Sequence, residues 1–133
     1  MEKIVVSTKV LVTISLLVVG LIHVLPVLGV LGGSRLASLY GVQNLTPDIE
    51  ILLRHRSFFF GIIGGFFCYA AFKPHLQGAA LIIAALSVVS FLILAILSGQ
   101  YNSSIRRVVI ADWFALAIIA VGLVSYLVTR RAA

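Results

Sequence analysis

The sequence predicts an all-α protein, a transmembrane four-helix bundle formed by a single domain of residues 1–133. Hydrophobic residues make up 62% of the chain and charged residues 11%, whereas a soluble domain is about 45–50% apolar and about 25% charged. A core of this size cannot bury the excess, so the excess must face lipid, which admits only helices or closed barrels. The apolar runs are continuous rather than alternating, which favours helices over barrel strands.

Four apolar segments are long enough to cross a bilayer, which takes about 20 helical residues. We predict spans at about residues 10–32, 47–72, 76–98 and 105–128. Thr46 followed by Pro47 is typical of a helix start, and Ser104 can cap the last helix. Residues 34–41 are predicted to form a short interfacial helix.

The short helix has its own start and stop signals in the sequence. Ser34 is expected to be its N-cap, and Gly41 is expected to end it. Its apolar side chains, Leu36, Leu39 and Tyr40, are expected to face lipid.

The net charge of +6 is concentrated at the ends of the apolar runs, where Lys and Arg contact lipid headgroups. Membrane lipids are therefore expected partners and nucleic acid is not. Four spans place both termini and the turn at 73–75 on one surface, with the five cations Lys3, Lys9, Lys73, Arg130 and Arg131. The other surface carries Arg35, Arg54, Arg56, Arg106 and Arg107. If Arg54 lies within the bilayer, the count of five against four favours cytoplasmic termini.

Small residues recur at helical spacing along the second span, and they let helix backbones approach closely. They are Ser57, Gly61, Gly64, Cys68 and Ala71, with Gly65 beside them. Similar small residues occur in the third and fourth spans. We expect these faces to form the bundle interior, while Phe60, Ile63 and Phe67 face outward.

An ion pair between Arg54 and Asp112 is predicted inside the bundle. Arg54 lies three residues before Ser57 and so belongs to the packing face, whereas Arg56 is expected to point to lipid. Asp112 borders the small face of the last span, at a similar depth. A charge inside a membrane usually pairs or serves a function, so the pair could be an interhelical clamp or part of a site.

Arg106 and Arg107 stand in the first turn of the last helix, where the helix dipole disfavours cations. Phosphate is the natural partner of such arginines, either from bulk lipid headgroups or from one anionic or polar headgroup in a pocket. The candidate pocket has polar groups near one surface and would hold the apolar tail between helices. It would be lined by Arg54, His55, Tyr101, Asn102 and Arg106 or Arg107.

His23 lies deep in the first span, one turn before Pro26. Proline removes the hydrogen bond to the Ile22 carbonyl and tends to kink the helix. His23 could therefore line a cavity or a proton path, or it could simply bind the freed carbonyl.

The sequence lacks the residue patterns that several kinds of chemistry require. There is no zinc-ligand spacing, no evident Ser-His-Asp set and no glycine-rich phosphate loop, so neither a metal nor a cofactor is predicted. Haem held between His23 and His55 would need both residues at one depth, and their distances from the helix ends differ. Cys68 is the only cysteine, which excludes an intramolecular disulfide.

Short motifs are spread over nearly the whole chain. They are Leu-Tyr-Gly at 39–41, Leu-Leu-Arg-His-Arg at 52–56, Phe-Gly at 60–61, Tyr-Asn at 101–102, Arg-Arg at 106–107 and Ala-Asp at 111–112. Together they resemble a group of small bacterial inner-membrane proteins, which is similar in size and layout to DoxX-type four-helix proteins. The resemblance implies a bacterial cytoplasmic membrane and no defined reaction. Some similar sequences carry the name phosphopantetheine adenylyltransferase, but that soluble class needs an H-x-G-H motif on an α/β fold, and this chain has neither.

Two functions are expected from these features. The first is a non-enzymatic membrane protein that binds a lipid-like ligand or a partner, either another membrane protein or a second copy of itself. The alternative is an enzyme or transporter acting on an amphipathic lipid, quinone or isoprenoid at the arginine-rich end. A gap between helices near Arg54 and Asp112 would favour ligand binding or catalysis, and a sealed interior would favour a structural role.

Overall fold

The computed structural model describes residues 2–132, with side chains from residue 6 onward. The charge of Lys3, which entered the orientation count, therefore belongs to a side chain outside the described ones. The described elements are α1 (Glu2–Val24), a 3₁₀ segment (Leu25–Leu31), α2 (Gly33–Tyr40), α3 (Pro47–Ala70), α4 (Pro74–Ser98) and α5 (Ser103–Arg131). Four stretches are long and apolar enough to cross a membrane: Val6–Leu31, Pro47–Ala70, Pro74–Ser98 and Ser103–Arg131. The predicted all-α fold with four spans is confirmed.

The four long helices form a bundle in which α1 packs against both α3 and α5, and α4 packs mainly on α5. Helices α3 and α5 are diagonal to each other: among residues 2–132, no pair of their Cα atoms comes within 8 Å. The buried core is centred on Leu16, Phe67, Leu81 and Ile119. A space between α3 and α5 remains at the end of the bundle that α2 covers.

The contact between α1 and α3 depends on small residues, as the sequence predicted. A Cβ added to Gly64 would lie 2.7 Å from the Gly20 carbonyl oxygen, and one added to Gly20 would lie 2.6 Å from Cys68 Sγ. Gly65 does not belong to this face, because a Cβ there would meet no described atom within 4 Å. The outward orientation expected for Phe67 is also wrong, since its side chain is 0% exposed.

The first span changes from α to 3₁₀ geometry at Leu25, immediately before Pro26. Proline has no N–H to continue the α-helical hydrogen bonds, which explains the position of the change. In the 3₁₀ segment, Gly29 packs so closely on Ser57 and Leu36 that a Cβ would overlap the Ser57 hydroxyl.

Helix α2 folds against the bundle instead of lying in lipid. Leu36 is 0% exposed and Tyr40 is 6% exposed, so the lipid-facing orientation expected for them is wrong, and Leu39 is half-buried. The small residues Gly29 and Ser57 leave the room that Leu36 fills.

The ends of α2 match the sequence only in part. Gly41 ends the helix as expected: it adopts a left-handed conformation with φ 65°, and its N–H donates to the Ala37 carbonyl at 2.8 Å. Ser34 is not the N-cap, because the helix already begins at Gly33 and Gly32 occupies the cap position.

Of the two N-caps predicted for α3 and α5, the structure confirms only the one for α3. Thr46 caps α3 as predicted, and its hydroxyl accepts the Ile49 N–H at 3.4 Å. The N-cap of α5 is Asn102, whose Oδ1 accepts the Ile105 N–H at 2.8 Å. The prediction of Ser104 was therefore wrong.

Candidate functional site

A cavity of about 390 Å³ occupies the space between α3 and α5, beneath α2. Each helix and the 3₁₀ segment contribute to its wall. Its main polar side chains are His23, Tyr40, Arg56, Ser87, Arg107 and Asp112. Its main apolar side chains are Ile22, Leu25, Phe60, Phe91 and Val108. The volume falls within the range of about 300–1,000 Å³ that is typical of small-molecule sites.

The cavity extends from one end of the bundle toward its middle. On α5 it reaches from Ser104, next to the start of the helix, to Asp112. Eight residues at about 1.5 Å of rise each give a depth of about 12 Å. On α4 it reaches Ser87, eleven residues before the end of the helix at Ser98, or about 16 Å along the axis. One molecule in the cavity would therefore contact both the headgroup level and the apolar interior.

Arg56 lies in the wall of this cavity, so the prediction that its side chain points to lipid is wrong. Its guanidinium carbon is 4.8 Å from the centre of the Phe60 ring and 5.3 Å from the centre of the Tyr40 ring. These cation–π contacts orient the side chain between α2 and α3.

Arg54 lies elsewhere, and the predicted ion pair between Arg54 and Asp112 is wrong. Its side chain is 49% exposed, with Nη1 3.6 Å from Glu50 Oε1 one turn earlier on α3. Its Nε donates to the Val30 carbonyl at 2.9 Å, which attaches the 3₁₀ segment to α3. Arg54 and Arg56 thus exchange the positions that were expected for them.

At the start of α5, the cavity receives one of the two neighbouring arginines. Arg107 lines the wall and donates from Nη2 to the Ser104 hydroxyl at 3.1 Å, whereas Arg106 lies outside the lining. Both side chains are exposed. Asn102, the α5 N-cap, also donates from Nδ2 to the Tyr40 carbonyl at 2.8 Å. Asn102 therefore joins the end of α2 to the start of α5 and supports the wall from outside.

His23 forms the deep end of the cavity and is 3% exposed. Its Nδ1 lies 2.9 Å from the Val19 carbonyl oxygen, and its Nε2 lies 3.1 Å from the Ser87 hydroxyl. Because a carbonyl can only accept, Nδ1 carries a proton, and in the neutral ring Nε2 accepts from Ser87. The carbonyl partner is that of Val19, not the freed Ile22 carbonyl that the sequence suggested.

The Tyr40 hydroxyl is buried and has no hydrogen-bond partner among the described residues. A buried polar group without a partner costs about 1–3 kcal/mol, so such groups usually mark an interaction that is still to be made. Tyr40 lines the cavity, and the Arg56 guanidinium lies over its ring.

Three of the candidate residues, His23, Arg107 and Asp112, come together along the cavity. Two others lie away from it: His55 is exposed and stacks on Phe59, and Tyr101 is 42% exposed. That any of these residues contacts a ligand remains a prediction.

Sequence reasoning missed Arg56, Tyr40 and Ser87 as members of the wall. The signal for Arg56 was available, because Phe60 follows it by four residues and neighbours of that spacing meet on a helix surface. No local signal identified Tyr40 or Ser87, whose places depend on how α2 and α4 pack.

Fold and cavity together define a class of structure: a small helical protein with four span-length helices and a cavity of mixed polar and apolar lining at one end of the bundle. Comparisons with family models, curated proteins and solved structures found no match for the chain.

Proposed function

We propose that this protein binds one amphipathic anion, a lipid-like molecule, in the cavity between α3 and α5. The observation that carries the proposal is the composition of the wall, which combines two arginines with apolar side chains. Arg107 stands near the start of α5 and Arg56 nine residues into α3, and the same wall includes apolar groups such as Phe60 and Phe91. A charged headgroup with an attached apolar tail matches this combination.

The charges of the wall favour an anionic headgroup. Two arginines, Arg56 and Arg107, stand against one carboxylic acid, Asp112. Arginine presents a planar fork of donors that suits carboxylate and phosphate groups. Tyr40 adds a buried hydroxyl that lacks a partner among the described residues, which a polar headgroup atom could supply.

The test compares Arg107→Gln with Arg106→Gln, two variants that remove the same charge from adjacent positions. Both residues are exposed, but only Arg107 lines the cavity. Losing one charge-assisted hydrogen bond costs about 1.5–3 kcal/mol, which corresponds to about 10- to 150-fold in affinity. Native mass spectrometry of protein purified in mild detergent would report any co-purified anionic lipid and its retention.

Retention should fall for Arg107→Gln and remain near the original level for Arg106→Gln. Equal losses in both variants would show that only general surface charge attracts lipid. Arg56→Gln and Arg54→Gln form a second matched pair, because Arg54 is bound to Glu50 outside the cavity. The same contrast is expected there.

A second candidate function is catalysis or transport of an amphipathic lipid, quinone or isoprenoid. The observation that favours it is the deep end of the cavity, where Asp112 and the buried His23 could exchange protons with a bound group. Under this alternative, Asp112→Asn would abolish turnover or transport but leave retention of the bound molecule intact. Loss of retention alone would support simple binding.

For location, we propose the bacterial cytoplasmic membrane, on the motifs that resemble small bacterial inner-membrane proteins. The orientation with both termini in the cytoplasm stays a prediction, because each surface carries five of the ten cations, and three remain on each surface when those that line the two cavities are left out. A reporter enzyme active only in the periplasm, fused after residue 133, should be inactive; activity would reverse the orientation.

Lipid-facing apolar surface also leaves room for a partner. Trp113 and Phe114 are both more than half exposed on α5. A second copy of the chain or another membrane protein could cover them, and the native mass spectra would report the stoichiometry in the same experiment.

A further inference from the structure

A second cavity, of about 720 Å³, lies at the opposite end of the bundle, where α1 and α4 begin and α3 and α5 end. Its wall combines cations with hydroxyl and amide groups. The polar members are Lys9, Thr13, His75, Gln77, Tyr126, Thr129 and Arg130. This cavity shares no residue with the first one.

The floor of the second cavity is formed by hydrogen bonds between helices. The Ala71 carbonyl, near the end of α3, accepts from the Thr13 hydroxyl at 3.1 Å and from Gln77 Nε2 at 2.9 Å. The Thr129 hydroxyl lies 2.7 Å from that of Thr8, which joins α5 to α1. These contacts join four helix ends around the opening: those of α1, α3, α4 and α5.

The cations at this opening face no carboxylate among the described side chains. Arg130 lies over the Tyr126 ring, with its guanidinium carbon 5.8 Å from the ring centre, and Lys9 stands across the cavity on α1. The described carboxylates are all at the other end: Asp48 and Glu50 at the start of α3, and Asp112 in the first cavity. Among its described lining side chains, the second cavity therefore has an excess of positive charge, with Lys9 and Arg130 and no carboxylate.

We propose that the second cavity binds a phosphate-bearing anion, with Lys9 and Arg130 as its ligands. The anion could be the headgroup of an anionic membrane lipid or a free phosphate compound, because both present the same oxygens to the cations. The proposal is independent of the function proposed for the first cavity.

The experiment measures binding to purified protein in detergent, with dihexanoylphosphatidylglycerol and inorganic phosphate as separate probes. Dihexanoylphosphatidylcholine is the zwitterionic control. Arg130→Gln is compared with Arg131→Gln, since Arg131 follows directly on α5 but is outside the cavity wall. Lys9→Gln tests the opposite wall.

Arg130→Gln and Lys9→Gln should each weaken binding of the anion by about tenfold or more, the usual effect of losing a direct charge-assisted contact. Arg131→Gln should change it much less. This pattern with phosphatidylglycerol identifies a lipid headgroup site, and the same pattern with inorganic phosphate identifies a soluble anion site. Equal weakening by Arg130→Gln and Arg131→Gln, or equal binding of phosphatidylcholine, would overturn the proposal.

Dihexanoylphosphatidylglycerol is itself an amphipathic anion, so the series is repeated in the Arg107→Gln background, which changes the first cavity alone. The contrast between Arg130→Gln and Arg131→Gln should persist there, whether or not the function proposed for the first cavity holds.

Discussion

The contact between α1 and α3 gives the sharpest test of the packing, through the adjacent glycines Gly64 and Gly65. A Cβ at Gly64 would stand 2.7 Å from the Gly20 carbonyl oxygen and 2.9 Å from the Val24 nitrogen. Both are backbone atoms, so no side chain can move aside, and the two helices must separate. A Cβ at Gly65 would meet no described atom within 4 Å.

The two Gly→Ala changes share one favourable effect and differ in one unfavourable effect. Alanine restrains the helical backbone better than glycine does, by about 0.5–1 kcal/mol, and this gain is similar at both positions. Overpacking a close contact costs about 1–3 kcal/mol, and only Gly64→Ala incurs it. The difference between the variants therefore isolates the overpacking cost, because the backbone contribution cancels.

Reversible unfolding in mixed detergent micelles would measure both free energies of unfolding. Gly64→Ala should be less stable than Gly65→Ala by about 1–3 kcal/mol. Equal stabilities, or a more stable Gly64→Ala protein, would mean that α1 and α3 do not approach each other at this point.

Two further predictions concern hydrogen bonds that support the first cavity, each with a neighbouring serine as control. Asn102→Ala removes the α5 N-cap and the hydrogen bond to the Tyr40 carbonyl of α2, so it should lower the melting temperature. Loss of the N-cap alone should reduce the free energy of unfolding by about 0.5–2 kcal/mol. Ser103→Ala, at the exposed neighbouring position, should have little effect. Ser87→Ala removes the partner of the buried His23 and should cost about 1–3 kcal/mol in the same melting experiment. Ser90→Ala, at an exposed position of α4, should cost less; a larger effect there would contradict the assignment of the inner face.

The spans could be predicted from the sequence because they depend on composition alone. A run of about 20 apolar residues has few alternatives to a membrane helix, and the ends observed differ from the predicted ones by only a few residues. Thr46 and Gly41 were also identified correctly, since capping is decided by neighbouring residues.

The inner face of α3 could not be predicted in the same way. Two stripes compete on this helix: the small one that contains Gly64, and the aromatic one formed by Phe60 and Phe67. In a membrane both lipid and bundle interior are apolar, so hydrophobicity does not tell which stripe is buried. The structure uses both: Gly64 meets α1, while Phe67 packs edge-on against His23 with their ring centres 5.1 Å apart.

This ambiguity explains the exchange of Arg54 and Arg56. Two residues are about 200° apart on a helix, so placing Arg54 inward necessarily placed Arg56 outward. The true position of Arg56 follows from the aromatic stripe, one turn before Phe60. The fold of α2 over Arg56, through Tyr40, is a long-range contact that no local pattern could indicate.

An experimental density map of the protein purified with its native lipids would show directly whether the first cavity holds an amphipathic molecule. We expect elongated density between α3 and α5, with its polar end within hydrogen-bond distance of Arg56 or Arg107 and its apolar part against Phe91. Closure of this space by side chains alone, with Arg56 bonded directly to Asp112, would refute binding in this cavity.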